Sequence, residues 1–350
     1  MISHTFSSCY HLQILKVLVV VVVGFYYSAG TTAYAVLGLR KLEGSVVTPA
    51  PAVVSNEPKA PAAKPYSPEL VDVFFKAVLL TGALSIGATI LDNEFASPLR
   101  AIFMTLTTFF GYVWGARLPA AFTKIVHPLV ISTAVTLVVT QLVAMATSDT
   151  FTSVLTTYKA GSIKPMSAGA GDILLYLLGP AVVSFAISVY SRKNVIIDNL
   201  LTVCTAMMVG SAGGLFGTAA FVRLLKVGGE AGTVLRKSLL PRNITTPLAV
   251  AITQILNGDI PQASAIVVLT GIYGATFGAS FMNAIGITDP VSRGLGIGAS
   301  GQGLGVASMI HEKEAYPFAA VSMVLTAVAA TALVSIPPVA DVLVKIACGN

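Results

Sequence analysis

The chain has 350 residues, of which 10% are charged and 55% hydrophobic, and its mean hydropathy is +0.83. Soluble domains carry roughly 25% charged residues, so this composition cannot cover a water-facing surface and excludes a soluble enzyme. The net charge of +6 does not point to nucleic acid, because the 21 Lys and Arg are scattered in short connections without a basic run or interleaved aromatics.

Ile14 to Tyr27 is an apolar run with Lys16 near its start, and the small residues Ser28 to Ala33 follow it. That pattern predicts a targeting or anchor segment over 1–44, as a cleaved signal or as a retained anchor helix. Residues 45–68 contain six prolines and five alanines. Proline fixes φ and removes backbone donors, so this stretch predicts an extended, solvated linker.

From Glu69 onward, apolar blocks of about 20 residues recur, the length that crosses a bilayer core as helix. The predicted spans are 69–91, 99–117, 126–146, 173–190, 196–221, 232–257, 262–287, 294–310 and 316–346. The blocks are continuous rather than alternating, which excludes a β-barrel. Lys and Arg counted by alternate loops come close to parity, so charge does not set the orientation. The predicted fold class is an all-α polytopic transmembrane bundle in a lipid bilayer.

Two spans are interrupted. Residues 238–247, SLLPRNITTP, place two prolines, a cation and several polar side chains inside apolar surroundings. Residues 291–307, VSRGLGIGASGQGLGVA, hold six glycines in seventeen positions. Neither can be a plain lipid-facing helix, because freed backbone groups in lipid need protein or water partners. Such interrupted segments are the sequence pointer to a transporter's central site. Candidate ligands for a small polar substrate are therefore Arg242, Asn243, Thr245, Thr246, Ser300 and Gln302. Asp172 opens a span after Gly169-Ala170-Gly171 and reads equally as a helix cap and as a proton or ion carrier. Arg293 is a second coupling candidate, although Asp289-Pro290 ahead of it reads first as a turn and helix start. His127 at a span boundary reads as structural, and Glu312-Lys313-Glu314 as a solvated loop.

Three cysteines and four histidines are dispersed and match no metal spacing, so no metal, disulfide or cofactor is expected. GIGASG at 296–301 fits GxGxxG, but it lacks the βαβ context that a nucleotide fingerprint needs. No GxSxG, HExxH or Walker sequence occurs, so no hydrolase or ATP-driven pump is indicated. The glycines at 210, 213, 214 and 217, and at 271, 274 and 278, read as close helix packing by small residues.

At the two interrupted spans the chain resembles the LrgB/CidB family of membrane proteins. Bacterial members carry a signature of the form PKSVTTPIA. Pro241, Thr245, Thr246, Pro247 and Ala249 match it, while Arg242, Asn243, Ile244 and Leu248 stand in for the other positions. The resemblance covers about residues 96–346. It is stronger to the plant branch, the LrgB-like half of plastidal glycolate/glycerate translocators, at Gly169 to Leu174, Leu240 to Arg242, Asp289 to Gly294 and Lys313 to Phe318. Family members generally have a histidine in the glycine-rich signature, where this chain has Gln302. The resemblance implies an LrgB-like transport domain over 96–350, with 69–95 as an extra helix left from an LrgA-like half. It implies a secondary transporter of small hydroxycarboxylates in the plastid inner envelope, with an LrgA-like partner subunit or a homo-oligomer. For bacterial relatives it implies instead a holin-like role at the plasma membrane in cell lysis.

Overall fold

The computed structural model describes residues 2–46, 65–123, 126–229 and 232–349. Every regular element among them is helical, and the chain forms an all-α polytopic bundle. Most of the expected linker at 45–68 lies outside the described residues. The chain divides into two compact units, Met1–Val53 with Ser184–Asn350, and Val54–Val183.

The Val54–Val183 unit contains α2 (Pro68–Ile90), α3 (Ala96–Ala116), α4 (Pro128–Ala146), α5 (Phe151–Tyr158) and α6 (Ala170–Tyr176). The sequence marks these starts locally. Ser67 Oγ accepts from Leu70 N at 3.2 Å ahead of Pro68, and His127 Nδ1 accepts from Leu129 N at 3.3 Å ahead of Pro128. Both are cap-then-proline starts, where the missing proline N–H is no loss. His127 is thus a structural cap, as its boundary position implied. Helix α3 packs on α2 and α4. A Cβ on Gly111 would meet the Ser132 backbone, so the two helices approach through small residues. Ser132 Oγ donates to Thr108 O at 2.6 Å, and the Thr108 hydroxyl bonds those of Thr136 (3.2 Å) and Tyr158 (2.9 Å).

The other unit includes α1 (Ile2–Leu42), α8 (Leu200–Met208), α9 (Gly214–Leu224), α10 (Thr233–Leu239), α11 (Thr246–Ile255), α12 (Ile260–Ala284), α13 (Pro290–Ser308), α14 (Tyr316–Val334) and α15 (Pro337–Cys348); α7 (Leu178–Ser191) runs across the division between the units. Besides the interrupted span at 232–257, which is α10 and α11, three expected spans are subdivided. The 173–190 span is α6 followed by α7, and the 316–346 span is α14 followed by α15, because Pro337-Pro338 cannot continue a helix. The 196–221 span includes a π-helical turn, Val209–Gly213, between α8 and α9. Among the described residues, six helical stretches are long and apolar enough to cross a membrane: His11–Leu42, Pro68–Ile90, Pro128–Ala146, Leu200–Leu224, Ile260–Ala284 and Tyr316–Val334.

The helix formed by the segment expected as a targeting or anchor element at 1–44 packs one face into the core. Phe25, Ala29, Thr32, Ala33, Val36 and Arg40 are all buried, and they recur at the three- and four-residue spacing of one helix face. That face packs on α12 and α13. Arg40 Nε lies 3.1 Å from the Asp289 carboxylate, with both side chains within 5% of full burial. Asp289 also caps α13, accepting from Ser292 N at 2.9 Å and Ser292 Oγ at 2.7 Å. A buried charge whose partner is removed is strongly destabilising, so this pair ties α1 to α13.

Helix α13 is buried along nearly its whole length and is contacted by α1, α12 and α14. Its glycines make that possible. A Cβ on Gly298 would collide with the Ala319 backbone, and one on Gly274 with Gly301 and the Phe25 ring. We expect Gly298→Ala to destabilise the bundle by about 1–3 kcal/mol, since backbone cannot move aside as a flexible side chain can. The check is the thermal midpoint of the detergent-solubilised protein. An unchanged midpoint would contradict the close α13–α14 approach.

Candidate functional site

Three discontinuities of the helices meet in one place. They are the π turn Val209–Gly213, the irregular stretch 240–245 between α10 and α11, and a kink inside α13 at Gln302. A π turn shifts the helical ladder and frees carbonyls, and such turns concentrate at functional sites. Asn243 Nδ2 donates to the carbonyl of Gly210 in that turn at 3.2 Å and to Ala299 O of α13 at 3.0 Å. Gln302 Nε2 donates to Arg242 O at 2.6 Å and to Val267 O of α12 at 2.8 Å. Two side-chain amides therefore staple the broken segments together, each by spending both amide hydrogens on backbone oxygens. Asn243 Oδ1 is buried and has no partner among the described residues.

Arg242 is fully buried. Its Nε donates to Thr218 Oγ1 of α9 at 3.0 Å, and its Nη2 donates to Gly24 O at 2.6 Å and Ser28 Oγ at 2.8 Å, both on α1. Gly24 leaves the guanidinium its place, because a Cβ there would meet it and force it to shift. Nη1 has no hydrogen-bond partner, and no carboxylate among the described residues pairs with the cation. Guanidinium does not deprotonate in proteins, so the positive charge persists in a setting where an unpaired charge is strongly unfavourable. Thr218 and Gly214, which the Asn243 amide overlies, are one helical turn apart on α9. The guanidinium and that amide thus lie along one face of α9.

Four other expected site residues take quieter positions. Thr245 is the N-cap residue of α11 but makes no side-chain cap bond, and Thr246 opens the helix. The first-turn N–H groups there have no intrahelical acceptor, which gives this end a positive potential. Ser300 Oγ donates to Gly296 O at 2.7 Å in its own helix, so its hydroxyl proton is committed. Gln302, one of the candidate ligands, spends its amide on the backbone of the Arg242 break and of α12.

The two coupling candidates are tied up structurally. Arg293 donates to both Glu312 oxygens (2.8 and 2.7 Å), to Asn283 Oδ1 (2.8 Å) and to Ile287 O (2.8 Å), which leaves it as a clamp between α13 and the turn after it. Glu312, read as part of a solvated loop, is the other half of that clamp. Asp172 accepts from Gly169 N (2.9 Å), Ala160 N (2.9 Å) and Gly161 N (3.1 Å), so it pins the loop before α6 as an anion. Gly169, not Asp172, is the N-cap residue of α6, and Asp172 at N3 accepts from its N–H as the carboxylate of a capping box. No group of His, Cys, Asp or Glu among the described residues is arranged to hold a metal ion.

Sequence reasoning missed Thr218, Gly24 and Ser28. Their signal was the small residue at 24 and the hydroxyls at 28 and 218, which local patterning cannot pair with position 242.

No solved structure matches this chain. Over 338 residues it is 28% identical to plastidal glycolate/glycerate translocator 1, chloroplastic, of Arabidopsis thaliana, an alignment that covers 95% of this chain and 62% of that protein. The chain thus spans less than two thirds of the length of that relative. A model of the LrgB-like family matches residues 108–339, a range that contains Arg242, Asn243, Thr245 and Gln302. With two thirds of its length matched in this way, the chain belongs to the LrgB-like family.

Proposed function

We propose that this protein is a secondary transporter of small hydroxycarboxylates, glycolate and glycerate, in the plastid inner envelope membrane. The observation that carries the reading is Arg242, a buried cation with one free nitrogen and no carboxylate partner, at the junction of broken helices. An anion supplies what the site lacks, and a charge-assisted bond to guanidinium is among the stronger hydrogen bonds available. The helix end at Thr245–Thr246 adds positive potential, and Asn243 Oδ1 offers an acceptor for a substrate hydroxyl. The substrate names and the plastid come from the relative of the same family. Binding and release require no chemical step, so the reading needs no enzyme chemistry and no cofactor. Alternating access would be motion of one helix group against another around the broken segments. An LrgA-like partner subunit or a homo-oligomer would supply what the relative's additional length contributes.

The test is uptake of labelled glycolate into proteoliposomes loaded with glycerate. Saturable uptake stimulated by internal glycerate is the expected result. A nonsaturable leak shared by unrelated solutes would overturn the reading in favour of a holin-like pore.

A further inference from the structure

Helix α1 and helix α9 flank a cavity of about 330 Å³, lined by Val23, Gly24, Tyr27, Thr218, Phe221 and Arg242 among others. Its walls are apolar, and its one ionised group is the Arg242 guanidinium, whose Nη1 is unpartnered. A second polar group reaches the same space. Tyr27 is half-exposed, its ring lies against Gly217, and its hydroxyl makes no hydrogen bond among the described residues. Arg242 Nη2 bonds Gly24 O and Ser28 Oγ, the positions that bracket Tyr27 by three residues and by one, so the phenol and the guanidinium share one stretch of α1.

We infer that this groove is a carboxylate-binding site in which Arg242 Nη1 and the Tyr27 hydroxyl hold the two carboxylate oxygens and Val23, Phe221 and Leu224 pack on an aliphatic body. The inference rests on the carboxylate reading of Arg242 and assigns the site's second donor, its entrance and its ligand class. One uncompensated positive charge neutralises one negative charge. A second carboxylate would sit unpaired in an apolar groove, which is strongly unfavourable, so the site takes monocarboxylates and rejects dicarboxylates. Apolar walls also mean that binding strengthens as methylene groups are added, until the groove is full. The segment whose pattern resembles a signal peptide is in this way half of the binding site.

Hexanoate is the probe, titrated by calorimetry into the full, detergent-solubilised chain, with 1-hexanol and adipate as controls. Expected is one hexanoate per chain, no binding of either control, and competitive inhibition of glycolate uptake by hexanoate. Tyr27→Phe should weaken hexanoate about tenfold, as loss of a donor to a charged oxygen does. Ala220→Phe, on the exposed rim, should fill the groove and abolish binding while the thermal midpoint stays unchanged. Hexanoate binding that is absent, or that is indifferent to both variants, overturns the inference. Arg242-dependent glycolate uptake without hexanoate binding overturns the groove and leaves the transport reading standing. Hexanoate binding without any glycolate uptake does the reverse.

Discussion

Replacing Arg242 with alanine is expected to weaken glycolate affinity by roughly tenfold to more than hundredfold, and thereby to abolish uptake at low substrate. The figure follows from losing a charged donor to a carboxylate, typically about 1.5–3 kcal/mol. The same substitution leaves Gly24 O, Ser28 and Thr218 without their shared donor, so a folding effect must be separated from a binding effect. Arg242→Lys does that. It keeps a positive charge on a flexible stem but loses the planar fork that reaches α1 and α9 together. We expect the lysine variant to insert and to retain its thermal midpoint more nearly than alanine, yet still to transport poorly. The checks are initial uptake rate against glycolate concentration and the thermal midpoint of each variant. Wild-type affinity and maximal rate in the alanine variant would reduce Arg242 to a topological anchor.

The second large effect is expected at Gln302, where φ is +54° and ψ −156°. That backbone region is essentially reserved for glycine, and a side chain held there stores on the order of 1–3 kcal/mol. Gln302→Leu keeps the strain and removes both amide donors, so the carbonyls of Arg242 and Val267 are left unpaired. At about 1–3 kcal/mol for each unsatisfied buried group, the leucine variant should lose several kcal/mol and most of its transport. Gln302→Gly loses the same bonds but relieves the strain, so it should be the milder change. Gln302→His places there the histidine that the family resemblance leads one to expect. A neutral imidazole has one N–H and can satisfy only one of the two carbonyls, so this variant should fall between wild type and leucine, with a rate that depends more steeply on pH between about 5 and 8. Uptake against pH and thermal midpoints for the three variants decide the matter. A fully active, equally stable leucine variant would show that the staple is dispensable.

What the sequence determined by itself was local in origin. Apolar blocks of bilayer length, prolines at 241 and 247 and the glycine run from 294 to 305 set the membrane class, most of the helices and both breaks. Those signals act through neighbouring residues, by hydropathy and by the φ restriction or freedom of Pro and Gly. The buried stripe of α1 was also written in residues 25 to 40, but an apolar run near an N-terminus has the same appearance whether it is removed, anchors the chain or packs into a core. What the stripe meets was decided by tertiary structure alone. It meets α13 and the Arg242 break, with partners of Arg242 as far as 218 positions away. The same holds for Gln302, whose amide is spent 60 and 35 positions away, and for Arg293 with Glu312. A polar side chain inside an apolar segment announces that it must have a partner, since leaving it unpaired is unfavourable. Which partner it finds is set by how the helices cross, and small residues such as Gly24, Gly274 and Gly298 let those crossings come close enough to join them.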